Sequence, residues 1–75
     1  MPELPLAPID RIFHKAGAEV GEDAIQALRD ILEYIAFDIA SKSIELARHA
    51  GRKTVTADDV KTAIRILRCI PAPTS

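Results

Sequence analysis

The chain is short of cysteine, tryptophan and glycine, and its net charge is close to zero: one Cys, no Trp, three Gly and a formal balance of −1 in 75 residues. Each shortage excludes something. Cys69 has no partner within the chain, so no internal disulfide staples the fold, and a lone thiol fits a reducing cytoplasm. No apolar run reaches the ~18 residues that a membrane-spanning helix needs. The N-terminus carries Glu3 and three early prolines, not a basic region followed by an apolar one, so no secretory signal is expected. His14, His49 and Cys69 lack metal-ligand spacing. There is no Gly-rich phosphate loop, no Ser/His/Asp arrangement and no defensible carboxylate pair. Catalytic residues, a metal and a cofactor are therefore all expected to be absent.

What is present is a globular composition, 48% apolar and 28% charged. A chain this short supports one domain at most and buries too little surface to be more than marginally stable alone. Its charge is unevenly spread. Residues 1–47 hold 4 Lys/Arg against 9 Asp/Glu, a balance of −5, whereas residues 48–75 hold 6 against 2, a balance of +4. That asymmetry reads either as a basic surface on an acidic body or as a solvated charge mosaic, and charge alone weighs the two evenly.

The elements are all helical. Residues 1–7 read as an extended, proline-broken arm, with Pro8 suited to a helix's first turn. Ile9, Ile12, Phe13 and Ala16 then follow the spacing of a short amphipathic helix, which Gly17 ends. Gly21-Glu22-Asp23 opens a second helix, its acids placed at the positive end of the helix dipole. No proline or glycine interrupts it before Gly51, so it is about 40 Å long. Its apolar stripe includes Ile25, Leu28, Ile31, Leu32, Ile35, Ile39 and Leu46, widened by Phe37, Ala40, Ile44 and Ala47. A coiled coil is the simpler account of so long a helix, but the heptad is not sustained and short amphipathic helices flank it. After Gly51, Thr54-Val55-Thr56 is expected to be briefly extended. Thr56 then caps a third helix, with Asp59 in a capping-box place. Val60, Ala63, Ile64 and Leu67 form its expected buried face, Pro71 its stop, and residues 72–75 a frayed end. The domain is placed at residues 1–70, with 71–75 as a tail.

A central helix of this length cannot fold back on itself, and two short helices cover only part of its stripe. The remainder needs a partner. The pattern predicts an obligate homodimer with long helices crossed and antiparallel.

The stretch Leu46-Ala47-Arg48-His49-Ala50-Gly51-Arg52-Lys53-Thr54 sets cations and a hydroxyl between two helix ends, an arrangement suited to phosphate. It also closely resembles a signature of the archaeal-type histones. Further matching segments are Glu3-Leu4-Pro5-Leu6-Ala7-Pro8-Ile9, Ala16-Gly17-Ala18-Glu19 and Asp38-Ile39-Ala40-Ser41. The resemblance implies an all-α histone fold, a handshake dimer, and DNA wrapped outside it through phosphate neutralisation, helix dipoles and minor-groove arginines without base reading. By that resemblance Lys53 and Thr54 meet phosphate, Arg52 pairs with Asp59 to shape the loop, and Arg11 faces the minor groove or its flanking phosphates. His14 and Lys15 are counted with Arg11 as DNA-facing. Arg29, like Lys15, is otherwise read as an ordinary surface cation. Leu46, His49, Asp59 and Thr62 are implied to join dimers into tetramers or longer stacks. A His49–Asp59 contact there would favour a protonated imidazole and weaken as pH rises.

Several positions depart from the family pattern. Ala18-Glu19 runs directly into Val20-Gly21, where relatives carry an arginine. His14 replaces a common lysine, Asp10 sets a negative charge beside Arg11, and Phe37 replaces a charged residue. Fewer cations mean weaker, less salt-dependent binding. The expected function is sequence-nonspecific binding and compaction of double-stranded DNA in a cytoplasmic nucleoid or on a chromosome. The alternative is a histone-fold protein-interaction module, including a heterodimer with a more basic histone, that binds DNA weakly or not at all.

Overall fold

The computed structural model describes residues 3–68. Three helices follow one another: α1 (Leu6–Lys15), α2 (Glu22–His49) and α3 (Ala57–Leu67). Among the described residues there is no strand, so the extended character expected at 54–56 reduces to the backbone of Thr56, at φ −107° and ψ 168°. No helix of the described residues is long and apolar enough to cross a membrane.

Two boundaries differ from the sequence reading. The arm is shorter than expected, because α1 begins at Leu6 after an extended Pro5. Pro8 thus sits third in the helix, where its missing N–H falls among the first four that lack an intrahelical partner anyway. At the other end α3 closes at Leu67, with Arg68 in the left-handed conformation at φ 54°. The helix stops before Pro71, which lies outside the described residues together with Cys69 and the expected tail.

The chain divides into two compact units, Met1–Tyr34 and Ile35–Ser75, and α2 contributes to both. In the first, Ile9 and Ile25 are buried. α1 ends in a Schellman motif: Gly17, at φ +88°, donates to the His14 carbonyl, and Ala18 donates to that of Phe13. In the second unit Ala47, Ala63 and Ile64 form the apolar core, with Ser43 and Asp59 buried beside them. The Ser43 hydroxyl is satisfied by donating to the Ile39 carbonyl at 2.6 Å.

The apolar stripes are less covered than their spacing implies. Ile12 is 54% exposed, Ile31 55%, and Val60 and Leu67 37% each. Val60 and Leu67 are thus corrected from buried to exposed. Periodicity identifies a face that seeks apolar company without saying that one chain supplies it.

Candidate nucleic-acid interface

The loop between α2 and α3 is set by its two ends. α2 closes in a second Schellman motif: Gly51 donates to the Arg48 carbonyl and Arg52 to the Ala47 carbonyl, each at 2.9 Å. Gly51 holds φ +73°, which costs a residue with a Cβ. α3 opens with a capping box, in which Thr56 Oγ1 accepts from Asp59 N at 3.3 Å and Asp59 Oδ2 accepts from Thr56 N at 2.8 Å.

Arg52 joins these ends. Its Nη1 and Nη2 donate to Oδ2 and Oδ1 of Asp59, each at 2.8 Å, and Nη1 also reaches the Thr54 carbonyl at 3.1 Å. The bidentate fork fixes direction as well as distance. The Asp59 carboxyl is held well below the ordinary carboxylate range, first by the Arg52 hydrogen bonds and then by the Thr56 N–H. Arg52 is raised in turn, chiefly by its hydrogen bond to Asp59. A loop closed from inside in this way leaves Lys53 and Thr54 exposed to solvent.

The other sequence-predicted cations lie on α1 in the first unit. Arg11, His14 and Lys15 share one helix face by their three- and four-residue spacing and are exposed. His14 Nε2 lies 3.3 Å from Asp10 Oδ1, so a carboxylate accompanies this group. Arg29 is not an ordinary surface cation. Its side chain is only 14% exposed, with Nε on Asp30 at 2.7 Å and Nη1 on the Leu4 carbonyl at 3.3 Å.

Of the residues expected between dimers, His49 is exposed, Leu46 and Thr62 are half-buried, and Asp59 is buried. His49 borders a shallow groove with Ser41, Ile44, Glu45 and Arg48. Asp59 already accepts from Arg52 twice and from Thr56 once, which leaves roughly one of its four acceptor sites.

Sequence reasoning missed the role of Glu33. Its carboxylate accepts the backbone N–H groups of both Glu3 and Leu4. Nothing in the local sequence marks this, because its partners are backbone groups about thirty positions away. Among the described residues no group of three or more His, Cys, Asp or Glu side chains is gathered as a metal would require.

A family model described as histone-like transcription factor (CBF/NF-Y) and archaeal histone matches residues 2–64. The chain is similar to an archaeal histone, HAN1, of Thermococcus zilligii, 58% identical over 66 residues that cover 87% of this chain and 98% of the relative. It is also similar to the probable archaeal histone 3 of Methanocaldococcus jannaschii, 54% identical over 66 residues with the same coverage of each chain. With a short, a long and a short helix aligned along nearly the whole of these relatives, the chain belongs to the family of histone-like transcription factors and archaeal histones, and its fold is the histone fold.

Proposed function

We propose that this protein binds double-stranded DNA without reading its sequence and compacts it as a homodimer that associates further into tetramers or longer stacks. The observation that carries this reading is the α2–α3 loop, in which Arg52 is spent internally on Asp59 while Lys53 and Thr54 face solvent. A loop held rigid from inside meets phosphate without first being ordered, so less entropy is lost on binding. Arg11, His14 and Lys15 supply a second contact from α1. Affinity then comes from phosphate neutralisation, and sequence preference only from DNA flexibility. The duplex being bound places the protein on the chromosome or nucleoid. Membership in the histone family favours this reading over a bare interaction module, and packing DNA is structural work, not catalysis.

Dimers meet through Leu46, His49, Asp59 and Thr62. His49 uses the acceptor site that Arg52 and Thr56 leave free on Asp59, in competition with its own neighbour Glu45. Assembly therefore weakens as the imidazole loses its proton.

Nuclease digestion of reconstituted complexes tests the function. Regularly spaced protected fragments support wrapping, and protection without spacing means coating or bridging. A duplex left unprotected at physiological salt overturns DNA compaction in favour of an interaction module or a heterodimer with a more basic histone.

A further inference from the structure

We infer that Glu33, assisted by Arg29, is a positioning residue for DNA binding: it latches residues 3–4 to α2 and thereby orients α1, the helix that carries Arg11, His14 and Lys15. This inference rests on the DNA-binding reading above.

Three observations within the first unit carry it. α1 has no anchor of its own at its start, since Pro5 provides no side-chain cap and the first turn contains no acid. The missing carboxylate comes from α2, where Glu33 accepts from the N–H of Glu3 and of Leu4, the latter two residues before the helix begins. Arg29, one turn before Glu33 on the same face of α2, donates to the Leu4 carbonyl and is held by Asp30. Two side chains thus satisfy three backbone groups of a segment that otherwise frays. The negative charge of Glu33 also lies at the positive end of the α1 dipole. Ile9 is the only residue of α1 that is itself buried, so one apolar anchor leaves the helix free to pivot unless its start is tied. A pivot displaces all three DNA-facing side chains together.

The test compares Glu33→Ala with Glu33→Gln in the full-length dimer. Both remove the same charge, but the glutamine carbonyl still accepts the two N–H groups. Amide hydrogen exchange at Glu3 and Leu4 reads the latch without DNA. Gel-shift titration at two salt concentrations reads binding, and sedimentation verifies that each variant remains a folded dimer. Expected are protected amides in the wild type and in Glu33→Gln, and fast exchange in Glu33→Ala. Glu33→Ala should bind at least about threefold more weakly than Glu33→Gln, with a smaller salt slope, because at least one phosphate contact is lost. Equal DNA affinity of the two variants, the result expected if Glu33 acts only through its charge, overturns the inference, as do unprotected Glu3 and Leu4 amides in the wild type. Wild-type protein that leaves the duplex unshifted overturns the DNA-binding reading itself and this inference with it.

Discussion

Lys53 and Asp59 sit six residues apart and have opposite fates. Lys53 is exposed with its charge available, while Asp59 is buried and committed to Arg52 and Thr56. Lys53→Ala is therefore expected to weaken DNA binding with little effect on folding. Its salt slope should fall by about 0.9 per contact, or roughly two per dimer, in a gel-shift series across salt concentrations. Asp59 sets an acid limit on stability. Its folded-state carboxyl titrates well below the unfolded value of about 4, so the unfolded chain takes up this proton first. The stabilisation is complete above the unfolded value and is lost as pH falls from there toward the folded one. Thermal unfolding of wild type and Asp59→Asn at one protein concentration, from about pH 5 down to pH 2, checks this. The wild-type midpoint should fall more steeply, whereas parallel curves would show that the pair does not govern the acid limit.

At the scale of elements, the loop is built from two helix ends and not from its own side chains alone. Gly51 closes α2 and Thr56 opens α3. Thr56→Ala is expected to cost about 1 kcal/mol, the usual value of a lost N-cap. Gly51→Ala, which forces a Cβ into the left-handed region, should cost roughly 1–2 kcal/mol. Urea unfolding of each dimer at matched concentration measures both, and a Gly51→Ala protein as stable as wild type would show that the loop can end α2 some other way. Both helix ends were legible in the sequence because caps are local: a glycine after the last apolar position, and a threonine with an acid three residues on. The latch at Glu33 was not legible, because a carboxylate and a guanidinium four residues apart on a helix do not say which distant backbone they meet.

For the whole molecule, exposed apolar surface decides how it exists in solution. Ile12, Ile31, Val60 and Leu67 lie on the helices' apolar stripes yet stay open within one chain. Burying them between chains makes folding and association one event, as the handshake pairing of this family implies. The thermal midpoint should therefore rise with protein concentration. Sedimentation over the same range should show folded dimers giving way to unfolded chains. A folded monomer at micromolar concentration would overturn the homodimer.

Three helices, their order and two of the three closing caps follow from local pattern alone, because periodicity and capping are short-range and written within a turn or two. The run from Leu46 to Thr54 carries the family resemblance in the same local way. Which cations remain available was settled by packing. Arg29 and Lys53 are both basic residues in a charged chain, yet one is drawn onto the Leu4 carbonyl and the other is left in water. Packing also left Val60 and Leu67 exposed and tied the start of α1 to Glu33. These outcomes depend on groups brought together from distant points of the chain, and the free energy of such contacts is set by burial and geometry that no local spacing records.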